Sequence, residues 1–137
     1  MKFDYRYWPS GSSPAFPQRI RFPRPTILVK VQYQEKTQDI YALVDSGADY
    51  CMFPSEVGEQ LGIDVNSGKE DTVIGIGNQP YTFYFHNIDI IVGGHKNEAW
   101  AGFSDRVPWP LLGQEGFFDR FEVKFNFRKK RVEIKPY

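Results

Sequence analysis

The sequence predicts a mainly β domain with one or two short helices. Aromatic residues make up 17% of its 137 residues, including 12 Phe and 8 Tyr, and such side chains are enriched in strands. Several short runs alternate apolar and polar residues, as a strand with one buried face does. Few runs show the apolar spacing of a helix. At this length the chain fits a single domain with its own buried core.

The predicted strands follow one another along the body of the chain. In the first, Ile27, Val29 and Val31 alternate with other residues and give the strand one apolar face. The next, 40–44, is continuously apolar, as expected of a strand buried on both faces. A hairpin is predicted where two strands flank the turn-rich sequence 77–80. The strands of that hairpin are 72–76 and 81–85. Four further strands are predicted, at 88–92, 99–103, 121–127 and 132–134.

Two helical segments are predicted. Ser55 is a suitable N-cap for a short helix through Leu61, with Gly62 as its C-terminal stop. A second helical turn is predicted after Gly113, through Phe118.

Residues 1–25 differ in composition from the rest of the chain. They contain five prolines, which cannot donate ladder hydrogen bonds. We therefore predict an N-terminal arm over 1–25, whose aromatic side chains pack onto the body with a short strand. A single domain is predicted over 26–137.

Charge and cysteine content exclude several classes of function. Seventeen basic residues balance seventeen acidic ones, which argues against binding to a nucleic-acid backbone. The basic run 128–131 lies between two strand patterns and is expected to be a solvated turn. No stretch approaches the roughly 20 apolar residues of a membrane span. With one cysteine and no secretion signal, a cytoplasmic protein without a membrane partner is expected.

Neither a metal nor a cofactor is expected. Cys51, His86 and His95 match no zinc-ligand spacing. The sequence Gly75-Ile76-Gly77 lacks the third glycine, the helix and the downstream acid of a dinucleotide-binding fingerprint.

The strongest chemical signal lies at 42–49, Ala-Leu-Val-Asp-Ser-Gly-Ala-Asp. An apolar strand here delivers Asp45 into a tight turn, where backbone N–H groups can hold its carboxylate and Gly47 allows close approach. The same residues suit a plain Asx turn, in which Asp45 only caps its own backbone. Asp49 and the preceding apolar run favour a functional site.

Three segments, in order, resemble motifs of the retropepsin-like aspartic peptidases. Residues 45–49 resemble the active-site loop, 75–77 the glycine-rich flap, and 111–113, Leu-Leu-Gly, the segment that passes beside that loop. The resemblance covers about 25–136. It implies a retropepsin-like half-barrel with a flap hairpin over the site.

The resemblance also implies a role for each matching residue. Asp45 would be the catalytic carboxylate, Ser46 would brace the two loops across a dimer, and Gly47 would contact the carboxylates or the substrate. The substrate-binding residues would be Ala48, Asp49, Gly75, Ile76 and Gly77. Many retroviral members carry an arginine just after the Leu-Leu-Gly-type segment, paired with the second acid of the loop. Here Gln114 stands at that position, so Asp49 lacks this partner.

The number of carboxylates predicts the assembly. Aspartic peptidases need two carboxylates that share a proton, whereas this chain has one Asp-Ser-Gly. A twofold axis beside Asp45 would supply the second. The expected function is thus a homodimeric aspartic endopeptidase that hydrolyses polypeptides with an activated water. One alternative is a non-catalytic dimeric peptide-binding or scaffolding module on the same fold, and another is a structural β domain in which Asp45 stands alone.

Overall fold

The computed structural model describes residues 1–137, and its strands confirm the mainly β prediction. It contains one α-helix, α1 (Ser55–Gln60), and two single 3₁₀ turns, Val65–Ser67 and Ile76–Asn78. The twelve strands are β1 (Lys2–Asp4), β2 (Arg6–Pro9), β3 (Arg21–Arg24), β4 (Thr26–Tyr33), β5 (Lys36–Val44), β6 (Met52–Pro54), β7 (Lys69–Ile74), β8 (Pro80–Val92), β9 (His95–Ser104), β10 (Leu111–Leu112), β11 (Phe121–Asn126) and β12 (Arg131–Pro136).

Seven strands form the main sheet, in the order β4-β5-β10-β6-β9-β8-β7. Because β4 also pairs with β8, six of these strands close on themselves and β7 extends β8 outside the closure. Closure leaves few unpaired strand edges. It also creates an interior into which one face of each strand points.

Alternation along the strands fills this interior. Ile27, Val29 and Val31 are buried as predicted, whereas Leu28 between them is 47% exposed. The following strand, β5, is buried on both faces only over its last three residues, 42–44, since Tyr41 is exposed. The apolar run before Asp45 is therefore enclosed just where it leads into the turn.

The two ends of the chain meet in a separate three-stranded sheet of order β1-β12-β11. The N-terminal amino group of Met1 donates to the carbonyl of Ile134, and Tyr5 joins the main core. The predicted hairpin turn at the basic run lies between β11 and β12, with Lys130 in a left-handed conformation. The rest of the predicted arm forms the two-stranded sheet β2–β3.

The helix lies near its predicted position but starts differently. Ser55 is its first residue and not its cap, since Pro54 occupies the cap position without a side-chain hydrogen bond. Its end is as predicted. Gly62, at φ +77°, donates to the Glu59 carbonyl, and Ile63 donates to the Gly58 carbonyl, which is the glycine-terminated end of a helix.

The prediction of a second helical turn after Gly113 is wrong. Residues 114–120 form hydrogen-bonded turns, in which Phe118 donates to the Gly113 carbonyl and Asp119 to that of Gln114. The physical reason is Gly116, whose φ of +97° is incompatible with a right-handed helix. These turns bury Phe117 completely.

The hairpin predicted to be the flap is present as a hairpin, with shifted boundaries. It is formed by β7 and the start of β8, and Ile74 pairs with Pro80 across the turn 75–79. The two strands predicted at 81–85 and 88–92 are one continuous strand, β8. No helix of the protein is long and apolar enough to cross a membrane.

The short strand β10 lies within the main sheet, between β5 and β6. It runs parallel to the end of β5, with Leu111 beside Leu43, and antiparallel to β6, with Leu111 opposite Met52. A Cβ on the next residue, Gly113, would collide with the Tyr50 carbonyl and lie 2.7 Å from that of Ala48. Only glycine fits here, because both obstacles are backbone atoms.

We expect Gly113→Ala to lower the free energy of unfolding by about 2–4 kcal/mol, since backbone must move to admit one methyl group. Chemical denaturation followed by circular dichroism measures this. Gly11→Ala is the matched control, because a Cβ at Gly11 meets nothing within 4 Å. Equal free energies of unfolding for the two variants would show that the backbone around Gly113 can make room for a methyl group without cost.

Candidate active site

Asp45 lies at the end of β5, in a turn that holds its backbone and one carboxylate oxygen. Its amide donates to the Leu112 carbonyl at 3.0 Å, and its own carbonyl accepts from the Ala48 amide at 3.2 Å. The Gly47 amide donates to Asp45 Oδ1 at 2.9 Å. Oδ2 has no hydrogen-bond partner within the chain. The side chain is half-buried, so one oxygen is oriented by the turn and the other is free for chemistry.

The segment after β10 supports this turn from below. The Gln114 amide donates to the Ala48 carbonyl at 2.8 Å, and the Glu115 amide donates to the Asp49 carbonyl at 2.9 Å. The Gln114 side-chain amide also donates to the Ser46 carbonyl at 2.7 Å. Three hydrogen bonds thus fix the backbone of the loop that carries Asp45.

A cleft of about 350 Å³ opens above Asp45, between the turn and the flap. Of the residues predicted for the site, it brings together Asp45, Gly47, Ala48, Asp49, Gly75 and Ile76. Ile76 lies at the flap tip with its side chain fully exposed. The motifs at 45–49 and 75–77 are therefore neighbours in space although about thirty residues separate them.

Two of the predicted residues do not line this cleft. Ser46 is exposed, and its hydroxyl has no hydrogen-bond partner within the chain. Gly77 forms the flap turn at φ +79°, where a Cβ would meet nothing within 4 Å. Its glycine is required by the turn geometry rather than by close packing.

Sequence reasoning missed most of the apolar wall of the cleft and its one cation. Tyr81 and Phe83 were assigned to a strand, and their alternation could have placed them on one face. The cation is Arg106, in the loop between β9 and β10, which carried no recognisable motif. The lining residues that were not predicted are Met52, Val73, Ile74, Tyr81, Phe83, Arg106, Val107, Pro108 and Leu111. Leu111 belongs to a predicted motif but was not expected to line the cleft.

Asp49 makes no side-chain hydrogen bond or ion pair within the chain. This agrees with the absence of the arginine expected at position 114, where Gln114 bonds to the loop backbone instead. Arg106 lines the same cleft, yet no acidic group lies within 4 Å of it. Both charges are thus available to a ligand.

The other candidate chemical groups lie apart from this cleft. Cys51 is completely buried in the core, and His86 Nε2 lies 2.8 Å from the Val65 carbonyl. His95 begins β9 and is exposed. No group of three or more His, Cys, Asp or Glu side chains is placed to hold a metal ion.

A strand-borne aspartate in a tight turn, a parallel strand crossing beside it and a flap hairpin above define the retropepsin-like fold. This confirms, at the level of the fold, the resemblance predicted from the three motifs. No protein-family model and no curated protein matches the sequence.

Many solved structures are similar to this chain, among them two proteases. A retropepsin-like aspartic protease from Rickettsia conorii matches with a TM-score of 0.63 at 14% identity, over 98% of this chain and 98% of that one. The EIAV protease, solved with an inhibitor, matches with a TM-score of 0.54 at 20% identity, over 66% of this chain and 82% of that one. The Rickettsia match is long enough to include most of residues 1–25 as well as the body.

Burial raises the pKa of Cys51 to about 12, and nearby Asp119 and Glu115 add to the effect while a backbone hydrogen bond from Gly113 opposes it. A raised pKa means that the thiol stays protonated throughout the neutral range. We expect iodoacetamide to modify the folded protein at pH 8 at least roughly 100-fold more slowly than the urea-unfolded chain. Mass spectrometry of timed samples measures both rates. Equal rates would mean that the thiol is accessible as a nucleophile.

Proposed function

We propose that the protein is a homodimeric aspartic endopeptidase in which two Asp45 side chains, one from each subunit, share the catalytic site. The observation that carries the proposal is the placement of Asp45, whose Oδ1 is oriented by Gly47 while Oδ2 faces no partner, at the floor of a cleft beneath a flap. A purely structural Asx turn accounts for the bond to Oδ1 but not for the cleft, the flap or the free oxygen.

A dimer is needed because one carboxylate cannot perform this chemistry. In the proposed reaction one Asp45 takes a proton from a bound water, which attacks the peptide carbonyl carbon, while the other donates a proton to the carbonyl oxygen. The tetrahedral intermediate then collapses: the C–N bond breaks, the first Asp45 gives its proton to the leaving amine nitrogen, and the second takes a proton back from a hydroxyl of the intermediate as the carboxylic acid product forms. Two carboxylates held close together share a single proton. Ser46 and Gly47 are exposed beside Asp45, so the loop leaves room for its symmetry mate.

The cleft suits an extended polypeptide as the ligand. Its walls are largely apolar, and the glycines of the turn and the flap bring backbone close to the bound chain. In the proposal, Gly47, Ala48, Asp49, Gly75, Ile76 and Gly77 contact the substrate. Flap closure would exclude bulk water and strengthen the polar contacts inside.

The proposed compartment is the cytoplasm. The only cysteine is buried and cannot form a disulfide within the chain, so the fold needs no oxidising environment.

We expect Asp45→Asn to abolish cleavage of an unstructured polypeptide, by at least about a thousandfold, because an amide can neither take nor share the proton. Mass spectrometry of products formed between about pH 4 and 6 measures this. The variant should remain folded and still bind peptide. Asp49→Asn is the matched control in the same loop and should keep measurable activity. Undiminished cleavage by Asp45→Asn would remove Asp45 from the mechanism.

Peptide binding without products, in both the native protein and Asp45→Asn, would instead favour the non-catalytic binding module. A monomer that neither binds nor cleaves would favour the structural domain. The three outcomes are distinguished by one binding titration, one cleavage assay and one sedimentation measurement.

Mixing the two proteins tests the shared site directly. When native chains and Asp45→Asn chains are mixed equally and allowed to exchange subunits, about a quarter of the dimers contain two native chains. Activity per total protein should therefore fall to about a quarter of the native value. A value of about one half would mean that each chain acts alone, and would contradict the shared site.

A further inference from the structure

The N-terminal segment forms a two-stranded ribbon that has no role in the proposed reaction. We use the term N-terminal ribbon for β2, β3 and the connecting loop, residues 6–24. Its two strands pair antiparallel, with Trp8 opposite Phe22. Cation–aromatic contacts stiffen it, since the Arg19 guanidinium lies 3.7 Å from the ring centre of Phe16 and 3.8 Å from that of Phe22.

Alternation gives β2 of the ribbon an inner and an outer face. On the inner face, the Arg6 guanidinium lies 3.8 Å from the ring centre of Tyr41 on β5, and Trp8 meets Trp109 edge-to-face with ring centres 4.9 Å apart. On the outer face, Tyr7 is 47% exposed and stacks only with Arg21 of the same ribbon. The ribbon is therefore docked on the body through one face.

Trp109 belongs to the loop 105–110, here called the cleft loop, which supplies Arg106, Val107 and Pro108 to the wall of the cleft. The ends of this loop are tied, since the Val107 amide donates to the Ser104 carbonyl and the Pro110 carbonyl accepts from the Leu43 amide. Between these ties, at residues 108 and 109, no backbone–backbone hydrogen bond forms. The indole of Trp109 is the anchor of that stretch, and its aromatic partner is Trp8.

Trp8 is also connected, through Arg24 and Pro25, to β5, the strand that leads to Asp45. The Arg24 guanidinium lies 5.1 Å from the Trp8 ring centre, and the next residue, Pro25, accepts a hydrogen bond from the amide of Val44, which precedes Asp45. The contacts of Trp8 thus lead both to the loop that lines the cleft and to the strand that carries the carboxylate.

We propose that the N-terminal ribbon is a positioning element of the cleft, acting through Trp8 on Trp109 to hold the cleft loop in its substrate-binding position. The positioning of the loop stands on the contacts alone, whereas its consequence for catalysis rests on the proposed peptidase function. Loss of the contact would leave the stretch between Val107 and Pro110 without an anchor. It would weaken substrate binding more than the chemical step, because Asp45 and its turn are held separately by β10.

The test compares Trp8→Ala, Trp8→Phe and Tyr7→Ala in the full-length chain. Hydrogen exchange of the Arg106 and Val107 amides, followed by mass spectrometry of peptides spanning 104–112, reports the loop without requiring any activity. Loss of an edge-to-face aromatic contact is expected to shift the equilibrium between the ordered and the locally opened cleft loop by roughly 3- to 10-fold. We expect exchange to rise by about that factor in Trp8→Ala, to return to within about twofold of the native rate in Trp8→Phe, and to be unchanged in Tyr7→Ala.

Kinetics of peptide cleavage give the second readout. In Trp8→Ala, KM should rise roughly 3- to 10-fold while kcat changes less than about twofold. Exchange that is equal in Trp8→Ala and Tyr7→Ala would overturn the positioning role, and so would a rise spread over the whole chain. Faster loop exchange with an unchanged KM would overturn the link to substrate binding. If the chain cleaves no peptide at all, the proposed function fails, and the exchange data alone still decide the positioning role.

Discussion

The candidate site depends on one close crossing of backbone, where Gly113 passes against the carbonyls of Ala48 and Tyr50. This contact allows β10 to lie parallel to the end of β5 and lets Gln114 reach the loop with both its backbone and its side chain. The loop that carries Asp45 is therefore held by atoms that cannot easily rearrange. Such preorganisation is what a shared carboxylate pair requires, since a shift of about 1 Å between the two groups changes how they share a proton.

Gln114 supports the loop that carries Asp45 but offers no positive charge to Asp49. An arginine at this position could form an ion pair with Asp49, whereas the shorter amide bonds to the Ser46 carbonyl. The backbone of the loop is supported in this way, whereas neither Asp49 nor Arg106, which both line the cleft, has an ion-pair partner. Besides Asp45, the cleft therefore contains one carboxyl side chain and one guanidinium cation that have no ion-pair partner within the chain.

Local patterns predicted much of this fold because its interior is filled by strict alternation. Ile27, Val29 and Val31 could be placed on the buried face from spacing alone. The sequence motifs likewise predicted the turn at Asp45 and the hairpin around 75–79, whereas the catalytic role of Asp45 and the role of the hairpin as a flap stay predictions. What failed depended on distant partners or on backbone conformation. The residues after Gly113 were predicted to form a helical turn, but Gly116 adopts a φ of +97°. The backbone conformation of a single glycine cannot be predicted from the residues beside it.

The cleft loop was missed for a related reason. Arg106 and Trp109 lie in a segment without alternation or motif, and the aromatic partner of Trp109 is Trp8 of the N-terminal ribbon, more than eighty residues away. A sequence pattern encodes the face a residue occupies, but not the partner that face will meet. Because the cleft wall rests on Trp109 and Trp109 rests on Trp8, the residues that set the shape of the site extend to the beginning of the chain. The ribbon and β10 therefore act in the same way. β10 holds the turn that carries Asp45, the ribbon holds the cleft loop, and in each case the contacting residues are far apart in the sequence.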